Sequence, residues 1–185
     1  MKVRHYPGSP VPAPLRRPGR LLLCTAVLAL AGCAGSSPQQ VRKPAPPPLR
    51  EWPAVAPADP VAANAVLMRA LGLVGTPYRY GGNTPESGFD CSGLVAYVYR
   101  DVLELRLPRT SRELARAQGP KIAPRRLAPA DLVFFGNGGE VSHVGIYVGE
   151  GRFVHAPSSG GTVRLDHLDG HYWRDHYTGA KRVLH

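Results

Sequence analysis

Three residues of this chain have the types and surroundings for nucleophilic chemistry: Cys91, His143 and His155. Cys91 follows a glycine- and proline-rich loop, Gly81-Gly82-Asn83-Thr84-Pro85-Glu86-Ser87-Gly88-Phe89-Asp90. Leu94, Val95, Val98 and Val102 then follow at helical spacing, which sets the cysteine on the first turn of a helix. Unpaired N–H groups and the positive end of the helix dipole favour a thiolate there, so a nucleophile ionised near neutral pH is expected. The competing reading is a small buried residue, because free cysteines are usually structural. His143 and His155 fall on two predicted strands joined by the tight turn Gly149-Glu150-Gly151. If those strands pair, one imidazole can orient the other, and the helix-borne cysteine completes nucleophile, base and orienter. A zinc site built from the same three residues would need a fourth ligand or water. No second cysteine or local carboxylate presents itself at ligand spacing, so neither metal nor cofactor is expected.

The elements that must hold these residues are legible as a pattern. Val66, Leu67, Ala70 and Leu73 give a first helix within Val61–Leu73, and the helix opened by Cys91 runs to about Leu103. Thr110-Ser111-Arg112-Glu113 has capping-box spacing and opens a short helix that closes at Gly119. Helix signals then stop. Leu132-Val133-Phe134-Phe135 is an apolar run, and Val144, Ile146 and Val148 alternate with His143, Gly145 and Tyr147. Further strands are expected at Phe153–Ala156, Thr162–Leu165 and about Ala180–Leu184. Helices first and a meander of strands afterwards define an α+β class, with helices packed on one face of an antiparallel sheet. Asp90 is a natural helix N-cap, and Asp131 reads as the end of a loop.

The N-terminus has a different character. Lys2, Arg4, Arg16, Arg17 and Arg20 precede an apolar run of eleven residues, Leu21–Ala31, too short to span a bilayer and suited to a secretory signal. Leu30-Ala31-Gly32-Cys33 resembles the lipobox of bacterial lipoproteins, which implies cleavage before Cys33 and acylation of that cysteine. Residues 1–32 are therefore expected to be a lipoprotein signal peptide, and 33–60, rich in Ser, Gln, Ala and Pro, a lipid-anchored tether. Residues 61–185 would be the folded domain. Cys91 would then be the one free thiol of an exported protein, unavailable for an internal disulfide. The formal charge of +10 would fall to about +5 on losing the five basic residues of the signal, and no dense Lys/Arg cluster remains. Nucleic-acid binding has little support, and a monomer is expected. Ala34, where inner-membrane lipoproteins typically carry aspartate, implies an outer-membrane lipoprotein facing the periplasm if the host is Gram-negative.

Five segments together resemble the NlpC family of papain-like cell-wall cysteine peptidases. They are Pro77-Tyr78-Arg79-Tyr80-Gly81-Gly82, Phe89-Asp90-Cys91-Ser92-Gly93-Leu94-Val95, Asp131-Leu132-Val133-Phe134-Phe135, Ser142-His143-Val144-Gly145-Ile146-Tyr147-Val148-Gly149 and Phe153-Val154-His155-Ala156. The resemblance implies a papain-like fold with Cys91 as nucleophile, His143 as general base and acid, and His155 as the polar third member. It implies that Tyr80 lines the cleft and helps bind the oxyanion or substrate, and that Asp90 and Ser92 shape the adjacent subsite. The implied substrate is the peptide part of peptidoglycan. The cut falls either at the D-alanyl–meso-diaminopimelate crosslink or at the γ-D-glutamyl–diaminopimelate bond of the stem. Relatives confined to stem peptides often carry an extra domain that walls off one end of the cleft. The short, proline-rich stretch between Ala34 and Val61 has no room for one, which favours the crosslink. A murein-binding protein without activity, and an acyltransferase on the same fold, are the other classes open to such a chain.

Overall fold

A computed structural model describes residues 51–117, 119–159 and 161–184. The expected signal segment, Cys33 and the first part of the tether lie outside the described residues. Helix α1 (Pro60–Gly72) starts one residue before the expected boundary, because Asp59 caps it by accepting from the Ala62 N–H and Pro60 suits the first turn. A short hairpin, β1 (Asn83–Thr84) and β2 (Gly88–Phe89), leads into α2 (Cys91–Leu103), as the sequence pattern required of the helix. Helix α3 (Ser111–Arg116) has the complete capping box between Thr110 and Glu113, but ends at Arg116, short of the expected Gly119.

The strands are β3 (Leu132–Asn137), β4 (Glu140–Gly149), β5 (Arg152–His155), β6 (Arg164–His167) and β7 (Tyr177–Lys181). They form a five-stranded antiparallel sheet in the order β6-β5-β4-β3-β7. This is the expected α+β class. The last two strands sit off their expected positions, β6 two residues later and β7 three residues earlier. A helix absent from the sequence reading, α4 (His171–His176), separates them. It is one and a half turns long with no side-chain cap, too short for a periodic signal.

Alternation along the strands sends residues to two different cores. Leu132, Phe134, Val144, Ile146 and Val154 meet Val66, Ala70, Leu94, Val95 and Val98 from α1 and α2. The other face collects Val133, Phe135, Tyr147, Phe153, Leu168 and Ala180, with Trp52, Trp173 and Tyr177 packed against them. Trp52 belongs to the stretch expected to be tether, yet its indole N–H donates to Asp169 at 2.8 Å and its ring lies 6.3 Å from that of Tyr147. The chain is thus packed against the sheet some eight residues before α1 begins. Buried Asp131 accepts from Arg182 Nε and Nη2, both at 2.9 Å, which ties β7 and the residues after it to the loop entering β3.

Candidate active site

The loop before α2 and the start of β4 set the nucleophile. Asp90 takes the N-cap position, accepting from the Gly93 N–H at 2.6 Å and the Gly81 N–H at 3.0 Å. Arg109 grips the same carboxylate through both Nη atoms, at 2.9 and 2.7 Å, and donates to Ser92 Oγ at 2.9 Å. Burial would raise the Asp90 pKa, but Arg109 and the two backbone N–H groups outweigh it and hold the carboxyl below its ordinary range. Asp90 and Ser92 are both buried in this brace. Their partners are protein groups, and Arg109, which the sequence reading passed over, is the centre of the cluster.

Cys91 is half-buried at the first position of α2, with its sulfur at the backbone N–H of Val144, the residue after His143. Burial pushes the thiol pKa up. The N–H groups of Val144, Ser92 and Cys91 itself pull it down, Asp90 pushes it further up, and the balance is upward. The expected thiolate near neutral pH is therefore corrected: desolvation exceeds the help from the helix terminus, and the resting nucleophile is a thiol. Tyr80 is 93 % exposed on the loop surface. Tyr78, two residues earlier, is half-buried close enough to Cys91 and Asp90 for their charges to raise its pKa, after the larger effect of its own burial. Tyr78 is held there by its N–H to Gly161 and by Phe89 donating to Pro77. The cleft-lining place expected for Tyr80 is occupied by Tyr78.

The two histidines meet because of the β4–β5 hairpin. Its turn residues Glu150 and Gly151 both have positive φ (52° and 72°), the two-residue turn that matches strand twist. Two residues along β4 from His143 is Gly145, where a Cβ would come within 2.6 Å of the Phe153 ring and 3.3 Å of His155 Cβ. His143 Nε2 and His155 Nδ1 are 2.9 Å apart. Beyond them is a group the sequence reading missed: Asp166 on β6, with Oδ2 at 3.1 Å from His155 Nε2 in an oblique contact. Asp166 also accepts from Arg164 Nε (3.1 Å), Arg164 Nη2 (2.8 Å) and Trp173 Nε1 (2.7 Å). His155, Arg164 and Trp173 hold this carboxyl well below the carboxylate range against the opposing effect of burial. Trp173, on α4, stacks on the His143 ring at 5.2 Å and meets the His155 ring edge-on at 4.7 Å.

This order of acceptors favours one arrangement of protons. An ionised carboxylate only accepts, so the tautomer that suits this contact has hydrogen on His155 Nε2 and presents the Nδ1 lone pair. His143 then carries hydrogen on Nε2, leaving its Nδ1 lone pair as a base. Desolvation first, and the neighbouring His155 second, lower the His143 pKa to about 3, so the ring is neutral over the physiological range. His155 is fully buried and likewise lowered by desolvation, against the pull of Asp166. The site at rest holds a neutral thiol and a neutral imidazole. Asp166 had no signal of its own in the sequence, because it reaches His155 only through the β5–β6 register, in which His155 pairs with Arg164.

The sequence matches the NlpC/P60 family over residues 75–182, and the chain belongs to that family. It is 40% identical over 166 residues to the probable endopeptidase NlpC of Escherichia coli, covering 88% of this chain and 97% of that protein. It is 41% identical over 126 residues to the murein DD-endopeptidase MepH of Escherichia coli (66% of this chain, 46% of that one). With the gamma-DL-glutamyl hydrolase of Bacillus subtilis it shares 44% identity over 128 residues (68% and 30%). The chain thus spans less than half the length of MepH and of the glutamyl hydrolase. Among solved structures, an NLP/P60-family protein of Staphylococcus aureus described as similar to lipoprotein superposes with a TM-score of 0.60. It is 37% identical, covering 69% of this chain and 43% of that one. The helices on a five-stranded antiparallel sheet are those of the papain-like cysteine peptidase fold.

Proposed function

We propose that this protein is a peptidoglycan hydrolase, a cysteine endopeptidase that cuts the D-alanyl–meso-diaminopimelate crosslink. The observation that carries the reading is Cys91 at a helix N-terminus beside the N–H of Val144, the residue after His143, whose Nε2 lies 2.9 Å from His155 Nδ1. A substrate carbonyl entering the cleft displaces water and meets the sulfur while His143 Nδ1 takes the thiol proton. Backbone N–H groups at the first turn of α2 face the developing oxyanion. The imidazolium passes its proton to the leaving amine, a thioester remains on Cys91, and water activated by the same nitrogen releases the acid. His155 and the Asp166 carboxylate stabilise the imidazolium in both halves of the cycle. Tyr78 borders the nucleophile, and the brace of Asp90, Ser92 and Arg109 shapes the acyl side of the cleft.

The choice of bond draws on the likeness to MepH, named as a murein DD-endopeptidase. The likeness to the gamma-DL-glutamyl hydrolase favours the second reading, cleavage at γ-D-glutamyl–diaminopimelate within the stem. In a Gram-negative host, acylation at Cys33 would anchor the protein at the outer membrane with the domain in the periplasm. Crosslinked tetrapeptide dimers incubated with the purified chain should become monomers with intact stems. Dipeptide stems with persisting dimers would establish the second reading instead.

A further inference from the structure

A cavity of about 450 Å³ opens beside His143, lined among others by Ser142, Ser158, Ser159, Arg164 and Tyr172. His143 lines it and Cys91 does not. Arg164 spends Nε and one Nη2 hydrogen on Asp166, yet a guanidinium has five N–H donors, and this side chain is 41% exposed. Nη1 and the second Nη2 hydrogen remain for a ligand. The serine and tyrosine hydroxyls add neutral donors, and none of the residues lining the cavity is acidic. A planar cation beside hydroxyl donors, with no competing acid on the wall, suits a carboxylate.

We propose that this cavity is a subsite for a carboxylate on the leaving-group half of the substrate, with Arg164 as the residue that reads it. The inference rests on the hydrolase reading above. His143 delivers its proton to the departing amine, so that amine forms at His143. The carbon bearing it then lies within reach of the cavity that His143 lines. At a crosslink, the departing amine belongs to the D-centre of diaminopimelate, whose adjacent carboxylate is free. Within a tetrapeptide stem, the departing amine sits next to a carbonyl already tied into the following peptide bond. A subsite that reads the carboxylate on the carbon next to the departing amine favours the crosslink.

The test uses two crosslinked muropeptide dimers that differ only at the D-centre of the crosslinked diaminopimelate, one a free acid and one a carboxamide. Their affinities for the Cys91→Ala chain are measured by calorimetry, where no turnover interferes. The free acid should bind about tenfold more tightly, as expected for a hydrogen-bonded charge pair. Arg164→Gln should bring the two within about twofold by weakening the acid alone, and Arg164→Lys should keep part of the preference. Equal affinities for the two dimers with Arg164 in place overturn the subsite, whatever the Gln variant does. So does a Gln variant that weakens both dimers alike, since Arg164 would then act only through Asp166. Turnover of the same dimers by the unsubstituted chain is scored separately. Its absence, alongside a clear preference in binding, would contradict the hydrolase reading and leave the subsite standing.

Discussion

At the residue scale, the site works by holding a weak base in one tautomer. Asp166 contributes no atom to the reaction; as a pure acceptor 3.1 Å from His155 Nε2 it favours hydrogen on that nitrogen, and through it one tautomer of His143. Asp166→Asn removes that preference, because an amide can donate or accept. Turnover should fall about tenfold or more with KM nearly unchanged, the signature of a group acting on the transition state alone. Nitrogen chemical shifts of the two rings should show mixed tautomers in place of one. In a His155→Gln background the same change should cost nothing further, since the residue it acts through is gone. His155→Gln itself should keep part of the activity and His155→Ala far less, with chelators without effect on either. The resting thiol has its own consequence. Alkylation of Cys91 by iodoacetamide should keep accelerating above the pH at which an ordinary free thiol has saturated, because burial raises its pKa. A rate already flat at neutral pH would show a preformed thiolate.

At the scale of elements, the hairpin β4–β5 and the helix α4 decide whether the imidazoles meet and stay dry. Gly145→Ala would drive a methyl into the Phe153 ring and toward His155. Activity should drop at least as far as with loss of His155, with stability falling by about 1–3 kcal/mol from overpacking. Trp173→Ala uncovers both rings. With desolvation relieved, the His143 pKa should climb from about 3 toward the ordinary histidine value, read by proton NMR of the ring. These elements also show what the sequence made visible. Apolar spacing after Cys91 and alternation through His143 are local signals, and both elements stand where the pattern put them. The approach of Asp166 depends on strand register. Helix α4 owes its form to Trp173 packing on the sheet, which no window of six residues reveals. Tyr80 and Tyr78 occupy equivalent places in a motif read as a string, and only the path of the loop separates the exposed ring from the one at the nucleophile.

For the whole molecule, the two faces of the sheet carry different duties: one holds the helical core, the other the dry side of the relay. The second face is closed in part by Trp52, whose proline-rich neighbourhood has the composition of a linker. Composition averages over a window, whereas one indole finding a groove is enough to fix the chain. Trp52→Ala should lower the melting temperature, by the equivalent of roughly 1–3 kcal/mol, while the folded fraction keeps its activity. Acid should destabilise the fold through the same site. His143 binds its proton only near pH 3 when folded but near 6.5 when unfolded, so stability is full above about 6.5 and declines as pH falls toward 3. The slope this group contributes is at most about 1.4 kcal/mol per pH unit. Urea unfolding across that range should be less steep in pH for His143→Gln.

The central claim is that Cys91 is the nucleophile of a peptidoglycan-cutting site, and digestion of purified sacculi tests it most directly. Soluble muropeptides released by the full chain and by Cys91→Ser are separated and quantified, with circular dichroism confirming that both are folded. Release that is time-dependent with the unsubstituted chain and at background with the serine variant is the predicted result. Equal release by the two proteins, or none by either, would contradict it.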